Sequence, residues 1–306
     1  MEPMHSWRSP KRPGGATLPP GWEDLTVMAE TKQKILVRRH TVVTRVTHWT
    51  NVLALLVLLM SGLQIFNAHP ALYWGAKSTF AQPWIAMTKV EVGDVARGVT
   101  TVGDLKFDTT GLFGWSGKEG MREQRGFPAW ATIPSYRSLT DGRRWHFFFA
   151  WLFVINGLTY WLLGLINGHI AKDMLPTRAQ LSPRHILHEI VTHAQLKFPK
   201  GEEARRYNVI QKFTYLAVIA ILLPLMVLTG LSMSPGFNAT VPWLVDLFGG
   251  RQSARTIHFL AASGIVLFVI VHLVLVVLSG LWNNIRSMIT GKYAIEVETP
   301  VKGDAA

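Results

Sequence analysis

The sequence predicts an all-α integral membrane protein, a four-transmembrane-helix bundle with both termini cytoplasmic. Three observations lead there. Four apolar segments reach the length of about 20 residues that a helix needs to cross the hydrocarbon layer. None carries a Lys, Asp or Glu in its central portion. Basic residues mass at alternate ends of these segments, the bias that orients membrane helices.

Composition narrows the chemistry. Of 306 residues, 49% are hydrophobic and 16% charged, and the apolar ones gather in runs instead of alternating. The net charge of +12 sits beside those runs, where it meets anionic lipid headgroups, so nucleic acid is not an expected partner. With no cysteine, this chain holds no disulfide, iron–sulfur cluster, cysteine zinc site or thioether-linked haem. The metal ligands that remain are chiefly eleven histidines.

The spans run from Val46 to Phe66, Trp145 to Ile166, Tyr207 to Met233 and Ile257 to Trp282. Lys32, Lys34, Arg38, Arg39 and Arg45 precede the first. Lys172, Arg178, Arg184, Lys197, Lys200, Arg205 and Arg206 lie between the second and third, whereas the connection before the fourth offers only Arg251 and Arg255. The first and third spans therefore run outward. Residues 1–37 read as a proline-rich cytoplasmic arm without a cleavable leader, residues 38–293 as the bundle, and 294–306 as a cytoplasmic tail. Within the bundle, 170–206 form an inner loop, with Leu181 to Phe198 a possible amphipathic surface helix. Residues 67–144 form an outer insertion. This insertion shows no clear helix or strand period. It reads as a folded cap, either a docking surface or a lid over the helix ends.

Four histidines fall in the spans, and ligating side chains at such depths are usually functional. They are His48 in the first, His146 in the second, and His258 and His272 in the fourth. The last two are fourteen residues apart, so they share a helix face and stand about 21 Å apart along the axis. Helix direction supplies their partners. His48 and His272 lie at a similar inner depth, and His146 and His258 at a similar outer depth, so each pair can clamp one iron porphyrin. A bis-histidine iron keeps no open position, which favours electron transfer over oxygen chemistry. Arg45, Arg143 and Arg255 stand three residues before His48, His146 and His258, one turn nearer the water, where they would meet haem propionates or serve as ordinary interfacial arginines. Gly62, Gly157 and Gly264 would let a haem plane approach a helix or would serve helix packing. His185, His188 and His193 in the inner loop read as a solvated face, and His169 as a weak proton-relay candidate.

Arg-Val-Thr-His-Trp-Thr-Asn at 45–51, Arg-Trp-His-Phe at 144–147, Tyr-Asn-Val-Ile-Gln-Lys at 207–212 and the His258/His272 spacing resemble the four-helix, di-haem cytochrome b superfamily of bacterial respiratory complexes. Its members include cytochrome b subunits of nickel hydrogenases, the gamma subunit of formate dehydrogenase and thiosulfate-reductase-type cytochrome b, the last being nearest in pattern. The resemblance covers about residues 38 to 293. It implies two haem b groups on His48 with His272 and His146 with His258. It also implies a quinone site near the inner haem, with Asn208 the leading contact and Gln211 and Lys212 secondary. A periplasmic redox partner, a molybdopterin-dependent oxidoreductase, and a multi-pass place in the bacterial inner membrane follow from the same likeness. Electron direction stays open. The longer outer insertion departs from the hydrogenase and formate patterns and leaves the partner's identity open. Two other classes remain on the residues alone: a stand-alone quinone reductase acting on superoxide or another small oxidant, and a non-redox anchor.

Overall fold

The computed structural model describes residues 30–168, 170–195 and 208–300. The first 29 residues of the arm, His169, positions 196–207 of the inner loop and the tail from 301 onward lie outside the described residues. The chain divides into two units, one of Met1–Ile35 with Glu296–Ala306 and one of Leu36–Ile295. In the first, the described residues belong to the outer halves of strands β1 (Glu30–Arg38) and β8 (Lys292–Pro300), which pair with each other. An exposed Lys34–Glu296 ion pair of 3.6 Å joins them.

The second unit contains four helices long and apolar enough to cross a membrane: α1 (Val42–Phe66), α2 (Leu139–Ile166), the stretch Val209–Met233, and α8 (Arg251–Leu278). In their most apolar windows only 11% (α8) to 28% (α1) of residues are buried against protein, so hydrocarbon must cover the rest. α1, α2 and α8 begin before their apolar runs. Thr41 accepts from the Thr44 amide at 3.1 Å to begin α1, and Ser138 accepts from the Asp141 amide at 3.2 Å to begin α2. The third span comprises α4 (Val209–Leu216), a π-helical turn at Ala217–Leu222 and α5 (Leu223–Met233). Pro224 explains the turn, because it lacks an N–H and its ring crowds the carbonyl four residues back, so the backbone widens just before it. The fourth span stops at Leu278. Gly280, at φ 111°, redirects the chain into α9 (Leu281–Thr290), which removes Leu281 and Trp282 from the predicted span.

α1 packs on α2 around Ala54, Val57, Phe149 and Phe153, with Leu223 and Val227 of α5 against the cluster. A polar clamp crosses the same seam: buried Asn156 donates to Thr47 O at 2.9 Å and to Asn51 Oδ1 at 2.8 Å. The amphipathic helix expected in the inner loop is α3 (Pro183–Ala194), and two short helices, α6 (Pro235–Thr240) and α7 (Trp243–Leu247), connect α5 to α8.

The all-α expectation fails in the outer insertion. Strands β2 (Ala71–Leu72), β3 (Ile85–Val92), β4 (Val95–Val102) and β5 (Leu105–Asp108) form an antiparallel meander, and β6 (Gly114–Ser116) pairs with β7 (Glu123–Arg125) beside it. Two Gly-Asp turns, Gly93-Asp94 and Gly103-Asp104, make the hairpins, with Val92 opposite Val95 and Val102 opposite Leu105. Both glycines have positive φ, 62° and 57°, as two-residue hairpin turns require. The sheet departs from strict alternation because the adjacent Ala86 and Met87 of β3 are both buried, Ala86 with Ala71 and Tyr73 and Met87 with Phe66 and Leu72.

This cap is strapped to the start of α8. Gly75 O accepts from the amides of Gln252 and Ser253, both at 3.1 Å, and Thr256 donates to Tyr73 O at 2.7 Å. Gly250 is required there, since a side chain would strike the backbone of Gly75 and Ala76. Beneath the strap Phe66, Leu72 and Met87 form a small core with Phe259.

Candidate functional site

The structure brings His146 and His258 together at the cap end of the bundle. Their ring centroids are 6.3 Å apart and their planes differ by 61°. Two imidazole–metal bonds of about 2.0–2.1 Å in line would put the centroids about 6 Å apart, so this spacing suits one iron between two rings.

The hydrogen bonds around each ring choose the ligating nitrogen. His146 Nδ1 lies 3.2 Å from Leu58 O, which can only accept, so Nδ1 carries the proton and Nε2 keeps its lone pair. Ser61 Oγ donates to Val57 O at 2.6 Å and so also accepts from this Nδ1, at 3.1 Å. His258 repeats the device. Thr229 Oγ1 donates to Leu225 O at 2.6 Å and accepts from His258 Nδ1 at 2.9 Å. Each hydroxyl is followed by a glycine against the same imidazole. A Cβ on Gly62 would lie 3.4 Å from His146 Cε1, and one on Gly230 3.6 Å from His258 Cε1. The donor chemistry, the spacing and the cleared flank all fit a bis-histidine haem.

Ser61, Thr229 and Gly230 were not legible as site residues. The signal was a hydroxyl–glycine dipeptide near the cap end of the first and third spans, meaningful only once a histidine faces it.

His48 and His272 lie at the opposite end, within electrostatic reach of each other. His48 packs edge-on to Trp49 at 5.4 Å, and its buried Nδ1 has no hydrogen-bond partner. His272 stacks on Phe268 at 5.8 Å. A buried imidazole nitrogen without a partner is costly in an apolar setting, so this ring lacks the orienting hydrogen bond that His146 and His258 have.

The arginines have further duties. Arg255 donates to Ala71 O at 2.7 Å and His69 O at 2.5 Å, clamping the cap's entry to α8. Arg143 lies over the Phe147 ring at 5.5 Å. Arg45 donates to Ile289 O, satisfying a carbonyl at the end of α9. Beside Arg255, His69 Nε2 and the Tyr73 hydroxyl are 3.0 Å apart. Burial, aided by Arg255, lowers the His69 pKa, and burial raises that of Tyr73.

At the His48/His272 end, Asn208 and Gln211 form a capping box for α4. The Gln211 amide donates to Asn208 Oδ1 at 2.8 Å and the Asn208 amide to Gln211 Oε1 at 3.3 Å. Lys212 is 5% exposed, and its ammonium donates to Leu175 O at 3.1 Å and Gln180 Oε1 at 3.3 Å. Among the described residues no carboxylate pairs with it.

Residues 39–291 match the family model described as prokaryotic cytochrome b561. The chain belongs to that family. It is therefore a membrane electron-transfer cytochrome of the b type, with haem b as its cofactor and a multi-pass place in a bacterial membrane. An Azospira oryzae protein named as a protein-methionine-sulfoxide reductase subunit, YedZ1, is 27% identical over 234 residues, 76% of this cytochrome and 87% of the relative. No solved structure matches the chain.

Proposed function

We propose that this cytochrome carries two haem b groups, one on His146 and His258 and one on His48 and His272, and relays electrons between membrane quinone and a redox protein on the outer face. The observation that carries this reading is the 6.3 Å spacing of His146 and His258, with a hydroxyl on each Nδ1. The haem groups supply reversible one-electron chemistry at iron. The chain's residues do the rest. Ser61 and Thr229 hold the imidazole tautomer, Gly62 and Gly230 keep the flanks clear, and the helices keep water from the ligands.

The His48/His272 end is the inner one in this reading, with both termini cytoplasmic and the membrane the bacterial inner membrane. There a quinol would release two electrons to the haems in turn and two protons to the cytoplasmic side. Lys212 is the strongest contact for a quinone oxygen. Its ammonium is buried, donates to Leu175 O and Gln180 Oε1, and lacks a carboxylate among the described residues. Asn208 and Gln211 bear on the quinone chiefly by building the turn that holds Lys212.

The cap is the docking face for a periplasmic partner, which we take to be a molybdopterin-dependent oxidoreductase. The relative's name as a reductase subunit supports electron flow outward to that partner.

The test is a count of haem in the purified full-length protein. Two haem b per chain with a reduced-minus-oxidised b-type spectrum are expected. One haem, or none after full cofactor supply to an assembled protein, overturns the reading.

A further inference from the structure

At the end of the bundle opposite the cap, three segments of the Leu36–Ile295 unit converge on a cavity of about 390 Å³. Its walls include Arg38 and His40 before α1, Arg45 in the first turn of α1, and Gly291 and Lys292 after α9. Arg38 also lines an adjoining cavity of about 330 Å³ with Arg39 and Tyr293. Three permanent cations share the first wall, and among the described residues no acidic side chain lines either cavity and no carboxylate pairs with Arg38, Arg45 or Lys292.

Convergent like charges repel, and an anion shared among them relieves that repulsion. The wall is built and held. The amides of Arg39 and His40 donate to Gly291 O at 2.8 and 3.4 Å. Arg45 is anchored on Ile289 O, and the Trp49 indole donates to Met288 O at 3.1 Å. Gly291 has φ 81°, and a side chain there would strike His40 O, so the corner is fixed by glycine.

What lies below the cavity identifies the anion's source. On α1, Trp49, Val52 and Leu56 follow Arg45 at four, seven and eleven residues, within about 40° of its face. They are 45%, 45% and 55% exposed, and Ile289 of α9, next to the cavity, is 59% exposed. A polar ion from water has no use for an apolar track running from its site along a membrane span. A phospholipid does, since its phosphate would enter the basic cavity while its acyl chains lie on the track.

We propose that this cavity binds the phosphate of an anionic phospholipid, with Arg38 and Lys292 as its principal contacts and Arg45 as its inner wall. The proposal rests on neither a haem nor a quinone, although Trp49, which helps hold the wall, packs edge-on against His48.

Native mass spectrometry of the haem-loaded full-length protein, offered phosphatidylglycerol or phosphatidylcholine at equal concentration, tests this. The wild type should retain the anionic lipid at least tenfold better. Arg38→Gln with Lys292→Gln should lose roughly tenfold to thirtyfold of that retention, at about 1 kcal/mol per cation, with an unchanged haem spectrum. The charge-keeping pair Arg38→Lys with Lys292→Arg should restore it, and Arg178→Gln with Arg184→Gln on the α3 side should leave it alone. Equal retention of the two lipids by the wild type overturns the proposal whatever the variants do. So does full retention by the double glutamine variant, or displacement of phosphatidylglycerol by inorganic phosphate at equal concentration, which would mark a free-phosphate site.

Discussion

Thr229 allows the proposed ligand His258 to be told apart from the group that would orient it. Its hydroxyl accepts from His258 Nδ1, and the His258 ring lies 6.3 Å from that of His146. Thr229→Val keeps the volume and removes the acceptor, so haem retention at the cap end should fall about tenfold and the midpoint potential of that haem should move. Thr229→Ser should restore both. Absorbance-monitored redox titration reads the result, and a purely structural threonine would leave the potential where it was. Asn208 needs a similar separation, because its side chain caps α4. Asn208→Ala should cost about 1 kcal/mol of stability as a lost cap, whereas Asn208→Ser keeps a capping oxygen. If the residue also serves quinone, both variants slow quinol-driven haem reduction in stopped flow. If capping is its whole role, the serine variant behaves as wild type.

The cap shows how an element is held by groups that no periodicity reveals. Arg125 has a side chain 1% exposed and is surrounded by acceptors: Phe127 O at 2.7 Å, Ser135 O at 3.1 Å, Thr132 Oγ1 at 3.0 Å and Glu123 at 2.5 Å. Gln64 of α1 joins the network by accepting from Arg125 Nη2 at 3.4 Å and donates to Tyr136 O at 2.7 Å, which ties the cap to the end of the first span. Arg125→Met should therefore destabilise the cap by about 3 kcal/mol through unpaired buried acceptors, measured by thermal unfolding followed on tryptophan fluorescence.

The same element carries a pH dependence. His69 has a folded pKa below its ordinary value of about 6.5, so the unfolded chain binds the proton more readily and stability rises with pH across that window. Cap melting temperature should fall as pH drops below about 6.5, and His69→Gln should flatten the slope. An unaltered slope in that variant would assign the effect to other groups. The strands themselves left a sequence signal: Val-Gly-Asp-Val at 92–95 and Val-Gly-Asp-Leu at 102–105 are hairpin turns between β-branched runs. Their weight was hidden by the glycines and charges around them, and by the sheet packing both on helix ends and on β6.

At the scale of the whole molecule, the two proposed ligand levels share α8 but stand about 21 Å apart along it, which predicts separable losses. His272→Ala should lose one haem and leave the cap-end haem visible, and His146→Ala should do the converse, with the protein still inserted. Loss of both haems from a stable His272→Ala protein would show that the pairs do not act independently. Haem stoichiometry and difference spectra of the two variants decide this.

The sequence by itself determined the four spans, because an uncharged apolar run of that length has one stable place, and it marked the four histidines, because a ligating side chain at that depth is rarely incidental. It also fixed their depths, since a helix converts residue number into distance. Only the tertiary structure decided which groups face them. The Ser61–His146 and Thr229–His258 contacts join residues 85 and 29 positions apart, and the basic cavity joins the start of α1 to the end of α9. Periodicity reports what a helix does to its own neighbours. What one helix presents to another depends on rotation and packing, which no local pattern encodes.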